Sequence, residues 1–496
     1  MILADKPRLP SSLYRAEQVR AMDRFAIDTL GIAGSELMNR AGQAAFQALR
    51  EYWPSARTVS VLCGAGNNGG DGYVLARLAA QAGMDVRVYP VAPVNGLRGD
   101  AASAFEAYKL AGGEVLNFIP AEFEGAEVLV DGLLGTGLDR EVAGLYLDVI
   151  RATRRFRGGM LALDIPSGLH ADTGAVLGEA VRADVTVSFI GLKQGLFTGE
   201  GPDHCGLVMF DDLSTPPTVQ QSQSPSARLL PPGVPVLRAR SRGAHKGHFG
   251  HVLVIGGEQG YSGAVRLAAE AAARVGAGLV SVATHPAHAP LLNLTRPELM
   301  CRGVAGAEDV SDLLAKAKVI AIGPGLGQTP WSRQLFDTAL ASGLPLVLDA
   351  DALNLLARNP LQREDWVLTP HPGEAGRLLQ IDNRQVQADR FTAVHDLRRR
   401  YGGTVVLKGA GSLVLGESGL PAVCTLGNPG MASGGMGDVL TGVIAGFVGQ
   451  GWPCEQAAEM GVLFHAAAAD RAADEAGERG LLAGDLMPHL RALVNA

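Results

Sequence analysis

The chain has 496 residues, enough for two or three domains at about 100–200 residues each. Apolar side chains make up 47% of it and the net charge is −7, so a packed core is easily built; with no basic run longer than Arg398–Arg400, a general nucleic-acid surface is not expected. The 65 glycines follow no G-X-Y period, which excludes collagen.

The stretch MILADKPRLPSS is not expected to be a signal peptide, because Asp5, Lys6 and two prolines interrupt any apolar run. The longest apolar stretch, VLTGVIAGFVGQGW, is shorter than the roughly 20 residues that span a bilayer. Five scattered cysteines without a CxxC pair fit a reducing cytoplasm.

A helix is expected first: YRAEQVRAMDRFAIDTLG puts Val19, Met22, Phe25 and Ala26 on one stripe and stops at Gly31. Strands follow in alternation with helical runs, at TVSVLC, DVRVYPV, EVLVD, MLALDI and DVTVSFI. The segment DDLSTPPTVQQSQSPSAR is rich in Ser, Gln and Pro and reads as a flexible linker. A second series begins with HVLVIGG and continues through LVSVAT, VIAIGPG, PLVLDA, WVLTP and TVVLKG. This alternation predicts an α/β protein of two domains with parallel sheets covered by helices. The expected boundaries are residues 1–213, a linker over 214–225, and residues 226–496.

CGAGNNGGDGY follows the first of these strands and opens a helix. Gly64, Gly66 and Gly69 spell G-x-G-x-x-G, but the acid expected about 20 residues later at the end of the next strand is missing, which speaks against an ordinary NAD-dependent dehydrogenase. The glycines are expected to take positive φ and to bring N–H groups to an anion such as a phosphate. Asp71, near the expected helix start at Gly72, reads either as a helix cap or as a site residue. Asp131 ends another strand before a glycine turn over Gly135–Gly137, and Asp164 ends a third before Pro166, Ser167 and Gly168. Ligands in open α/β sheets bind at the carboxyl ends of strands, so one crevice is expected to collect Asn67, Asn68, Asp131, Asp164 and Ser167. Such hard oxygen ligands suit an alkali or alkaline-earth cation, and no His or Cys joins them.

GNNGGDG, DGLLGTGL and LDIPSGL together resemble the N-terminal epimerase domain of the bifunctional NAD(P)H-hydrate repair enzymes, over about residues 12–213. The resemblance implies a Rossmann-like fold and potassium held near Asn68, Asp131 and Ser167. It also implies that Asn67, Asn68, Gly69, Gly70 and Asp71, with Gly135, Thr136, Gly137, Leu138, Asp139, Arg140 and Glu141, line the phosphates of the hydrate. Asp164 would contact the nicotinamide end as the catalytic carboxylate.

In the second half, NPGMASGGMGDVLTGVIAGFVGQG carries Gly434, Gly435 and Gly437 as an anion-binding turn ahead of a helix with Val439, Leu440, Val443, Ile444 and Phe447 on its buried face. Asp438 reads either as the cap of that helix or as a base poised over the anion hole. No Walker A loop occurs. Further strand ends present Gly323, Gly325 and Gly327; Asp349 and Asp351; His371 and Glu374; and Lys408 with a turn to Ser412.

These motifs resemble the C-terminal dehydratase domain of the same family, of ribokinase-like fold, over about residues 226–496. The resemblance implies that Ala264, Gly325, His371 and Asp438 contact the hydrate and that Lys408, Gly409, Ala410, Gly411, Ser412 and Gly437 hold the adenine nucleotide. Asp438 is then the catalytic base and ADP the co-substrate, with magnesium compatible with a nucleotide site but no ligands for it assigned. The residues also admit a small-molecule kinase fused to a non-catalytic nucleotide-binding module. The expected partners are hydrated NADH or NADPH and an adenine nucleotide, with the chain assembling as a homo-oligomer and without membrane or nucleic acid.

Overall fold

The computed structural model describes residues 9–118, 123 and 125–495. The first eight residues of the stretch read above as lacking a signal peptide lie outside them. The chain divides into two compact units, Met1–Arg228 and Leu229–Ala496.

In the first unit, β1 (Ser12–Tyr14) precedes the expected helix, which runs over Ala16–Arg24 and continues as a π turn to Thr29 before Gly31 at φ +70°. The main sheet holds β2 (Thr58–Cys63), β3 (Asp85–Pro90), β4 (Val128–Gly132), β5 (Gly159–Leu163), β6 (Val185–Phe189) and β8 (Leu207–Asp211), all parallel, in the order β3-β2-β4-β5-β6-β8. Both faces are buried, which explains the near-continuous apolar runs. Val59, Val61, Val130 and Leu161 point to the layer of helices Gly34–Tyr52 and Asn67–Gln81, while Leu62, Leu129, Met160 and Ala162 pack with Val149 and Ile150 of the helix Gly144–Thr153.

A small ribbon joins β1 to β7 (Leu192–Lys193) and β9 (Ala227–Leu229). The segment read as a flexible linker therefore belongs largely to the first unit. Its Val219 is fully buried, Gln18 donates to the Ser224 carbonyl, and the Ser226 hydroxyl donates to Gln194 Oε1 at 2.7 Å. A polar composition left these backbone and amide hydrogen bonds invisible.

The second unit contains β10 (His251–Ile255), β11 (Leu279–Thr284), β12 (Met300–Gly303), β13 (Val319–Ile322), β14 (Leu346–Leu348), β15 (Trp366–Leu368), β16 (Thr404–Leu407), β17 (Ser412–Leu415) and β18 (Ala422–Cys424), in the order β12-β11-β10-β13-β14-β15-β16-β17-β18. The strands are parallel from β12 through β16, and β17 and β18 close the edge antiparallel. The helix Met436–Gly449 is buried on nearly every side because it runs between the sheet and the helix Ser262–Arg274. Glycine makes that approach possible: a Cβ on Gly442 would occupy the position of the Ala268 carbonyl.

Candidate active sites

In the first unit the strand order reverses between β2 and β4, the place where open α/β sheets form ligand crevices. The loops after these two strands carry the expected residues. The helix after β2 starts at Asn67, earlier than the expected Gly72, with Gly66 as its N-cap. Asp71 is thus an interior helical residue and not a cap; it is buried, and burial, followed by the charges of Asp164 and Asp23, holds its carboxyl well above the usual range. Gly64, Gly66 and Gly69 do not adopt positive φ as expected. Gly64 and Gly69 serve close packing: a Cβ on Gly64 would overlap the Leu133 carbonyl, and one on Gly69 the Gly64 carbonyl.

Leu134 ties the cation candidates together. Asn68 Nδ2 donates to its carbonyl at 3.1 Å, and its N–H donates to Ser167 Oγ at 2.8 Å. Ser167 Oγ donates to Asp131 Oδ1 at 2.6 Å and Ser167 N to Asp131 Oδ2 at 2.8 Å. Burial pushes Asp131 up to about 6 even though Ser167 and the Leu133 N–H oppose it. Asn68 Oδ1 is buried and has no hydrogen-bond partner. Gly135 packs against the Asn68 side chain, and Arg20 donates to the Thr136 carbonyl at 3.0 Å. Asp139, Arg140 and Glu141 lie exposed farther along that loop.

Asp164 follows β5 at φ +63°, a left-handed conformation that a non-glycine residue rarely takes without compensation. Lys193, fully buried, supplies it. Its ammonium donates to Asp164 Oδ1, to the Phe189 carbonyl at 2.9 Å and to Ser188 Oγ at 3.2 Å. Asp23, from the first helix, faces the same pair; burial raises its carboxyl to about 6 against the pull of Lys193. Sequence reading named neither Lys193 nor Asp23. Lys193 sits in the two-residue strand β7, and only its burial distinguishes it from a surface lysine.

In the second unit the strand order reverses between β10 and β13. Ala264 opens the helix after the β10 loop, and Gly325, at φ +57°, follows β13; a Cβ on Gly325 would lie 3.3 Å from that of Ala264. The two expected contacts are therefore neighbours across the switch point.

Lys408 ends β16. Its ammonium donates to Asp349 Oδ1 at 2.6 Å and lies 3.9 Å from Glu374 Oε2. Asp349 Oδ2 accepts from the Thr441 hydroxyl at 2.9 Å. Gly435, at φ +92°, is the N-cap of the helix carrying Asp438, so Asp438 sits in its first turn and is not the cap. A Cβ on Gly437 would stand 3.1 Å from Lys408 Nζ and 3.3 Å from Asp349 Oδ2. Burial, reinforced by Asp349 and moderated by Lys408, pushes Asp438 up to about 7. Glu374 is likewise raised to about 7, first by burial, with Lys408 opposing and Asp349 adding. Burial also works against the Lys408 ammonium, but Asp349 and Glu374 hold its titration above the ordinary lysine value.

His371 caps its helix: Nδ1 accepts from Gly373 N at 3.0 Å and its own N–H donates to Glu374 Oε2 at 2.8 Å. The ring is half exposed beside Glu374, so capping and ligand contact are compatible. The nucleotide turn closes through Ser412 Oγ, which donates to the Gly409 carbonyl at 2.9 Å. Behind it the buried Arg390 donates to the carbonyls of Leu407, Lys408 and Gly411. Arg390 had no signal in the sequence. Asp351 instead fixes the loop after β13, accepting from Gly327 N at 2.9 Å.

Residues 34–195 match the family model described as YjeF-related protein N-terminus, and residues 252–491 match that for NAD(P)H-hydrate dehydratase. The bifunctional NAD(P)H-hydrate repair enzyme of Coxiella burnetii is 53% identical over 97% of this chain and 99% of its own length. Its Escherichia coli counterpart is 42% identical over 98% and 95%. A crystal structure of the ADP/ATP-dependent NAD(P)H-hydrate dehydratase from Bacillus subtilis is 29% identical, covering 52% of this chain and 93% of that one with a TM-score of 0.47. With one family model on each compact unit and full-length relatives at this identity, the chain belongs to the family of bifunctional NAD(P)H-hydrate repair enzymes.

Proposed function

We propose that the second unit dehydrates the S epimer of hydrated NAD(P)H with ADP as phosphoryl donor, with Asp438 as its base. The observation that carries this is a half-buried carboxyl in the first turn of a helix, beside Gly437 and the Lys408 ammonium, raised to about 7 chiefly by desolvation. A base matched to neutral pH is what deprotonating a hydroxyl requires, and the helix N-terminus and lysine favour the phosphates. Asp438 takes the proton of the C6 hydroxyl, and its oxygen attacks the terminal phosphorus of ADP, releasing AMP. Phosphate then departs with the C6–O electron pair while the N1 lone pair forms C6=N1. Loss of a C5 proton returns that pair to N1 and leaves the C5=C6 bond of NAD(P)H. Lys408, Gly409, Ala410, Gly411, Ser412 and Gly437 hold the nucleotide; Ala264, Gly325 and His371 hold the hydrate.

The first unit interconverts the two C6 epimers, with Asp164 at the nicotinamide end. A protonated carboxyl gives its proton to the C6 hydroxyl, water leaves with the C–O pair, and N1 forms an iminium that Asp164 offsets electrostatically. Water then adds to the other face and returns the proton. Asn67 to Asp71 and Gly135 to Glu141 line the phosphates.

Potassium fits Asn68, Asp131 and Ser167, because the orphaned Asn68 oxygen and the buried Asp131 carboxylate are hard oxygen donors. It would supply positive charge beside the phosphates. The expected setting is a reducing cytoplasm, and the expected assembly is a homo-oligomer.

The test is the return of NADH absorbance from hydrated NADH on adding ADP, with inorganic phosphate released in equal amount. A stable phosphorylated product without recovery of absorbance would support the fused-kinase reading instead. Epimer exchange that continues at the wild-type rate in Asp164→Ala would make the first unit a binding module.

A further inference from the structure

Asp349 directly follows β14, as the N-cap of the helix Ala350–Arg358, and is almost fully buried, at 2% exposure. Its two oxygens have different partners, Lys408 Nζ at 2.6 Å and Thr441 Oγ at 2.9 Å. Thr441 lies three residues after Asp438 in the helix Met436–Gly449, and residues at i and i+3 share a face. The turn holding Asp349 is specialised: the next residue, Ala350, has φ +47°, and a Cβ on Gly323 would overlap the Asp349 carbonyl. Backbone strain and a glycine-only approach are both spent on placing this one carboxylate.

We propose that Asp349 is the positioning residue of the dehydratase site, its carboxylate fixing the phosphate-side Lys408 and the helix bearing Asp438 in one relation and setting the charge that Asp438 meets. This rests on the reading of Asp438 as the base. The charged groups acting on Asp438 are Asp349, Lys408 from the end of β16 and Glu374 from the helix Pro372–Leu379, with His371 joined to the cluster 3.4 Å from Glu374. Burial works to protonate Asp349, but the Lys408 ammonium, the Thr441 hydroxyl and the Ala350 N–H outweigh it and hold it below the usual range. It therefore stays a fixed negative charge while Asp438 titrates. Removing it takes away a repulsive neighbour and leaves the Lys408 cation uncompensated, and both changes favour ionised Asp438.

The experiment is Asp349→Asn in the full chain, with NADH recovery followed at saturating ADP across the pH range where Asp438 titrates. The acid limb of the rate is expected to move to lower pH by about one unit, since a charge within a few ångströms shifts a carboxyl by about that much. The plateau is expected to fall about 10- to 100-fold from lost orientation. A limb that stays at the wild-type pH overturns the proposal, whether or not the plateau falls. Thr441→Val keeps the Lys408 pair and removes only the tie to the helix, so it decides the matter if Asp349→Asn yields no folded second unit. It is expected to lower kcat about fivefold, the equivalent of one hydrogen bond, with KM for ADP unchanged; an unchanged kcat overturns the proposal. Asp438→Asn run beside these variants separates the claims. Activity there sinks the base assignment, whereas a dead Asp438→Asn with an unmoved Asp349→Asn limb sinks only the positioning role.

Discussion

Asp164→Ala deletes the carboxylate that, among the described residues, is hydrogen-bonded to the Lys193 ammonium. Lys193 is fully buried and would keep the Phe189 carbonyl and the Ser188 hydroxyl, at 2.9 and 3.2 Å, as hydrogen-bond partners, with the Asp23 carboxyl facing it as the remaining acid. Breaking a buried ion pair from one side costs about 3–5 kcal/mol. The reverse deletion, Lys193→Met, leaves Asp164 with 16% of its side chain exposed, so water can solvate the carboxylate and the cost falls to about 1–3 kcal/mol. In the double variant neither charge remains, and apolar replacement of a buried pair is often near neutral. The double variant is therefore expected to be more stable than Asp164→Ala alone. Native-state hydrogen exchange read by mass spectrometry measures this unit by unit, with amides of β4, β5 and β6 reporting the first unit and those of β13, β14 and β15 the second. The second unit serves as the internal control and should not change. An Asp164→Ala cost below about 1 kcal/mol, or a double variant as unstable as the sum of the singles, would refute the view that the lysine depends on this carboxylate.

Asp438→Asn is expected to lower NADH recovery by about a thousandfold while epimer exchange, followed by chromatography of the two hydrates, continues. Because Asp438 is raised to about 7 by burial, with the charges of Asp349 and Glu374 adding, and a base must be unprotonated, dehydration should be flat above that pH and fall below it. A rate that is constant down to pH 5 would contradict this. Gly69→Ala should leave the first unit without epimerase activity, since the new Cβ meets the Gly64 backbone, which cannot turn away; circular dichroism and activity together check it. Potassium should raise the melting temperature of the wild-type first unit and not that of Asn68→Ala, measured in buffers differing only in potassium against a bulky organic cation.

The sequence alone determined a great deal of this protein. Its alternating apolar runs specified two parallel α/β units, since strands buried on both faces have no polar side to show. Asp131, Asp164, Lys408 and the glycine turns were legible as strand-end groups, because strand ends in such sheets face a common crevice. What the tertiary structure decided was how these groups are held. Lys193, Asp23 and Arg390 come from a two-residue strand, a helix face and a helix start, where local sequence gives no sign of a distant partner. The glycines of the first loop serve contact with Leu133 and with one another and not positive φ, a distinction that depends on neighbours about 70 residues away. The segment after Asp211 folds against the first helix although its composition is that of a linker, because hydrogen-bond partners cannot be read from composition. The charges on Asp349 and Asp438 diverge for the same reason: each carboxyl's proton affinity is set by burial and by what stands beside it, and both exist only once the chain has folded.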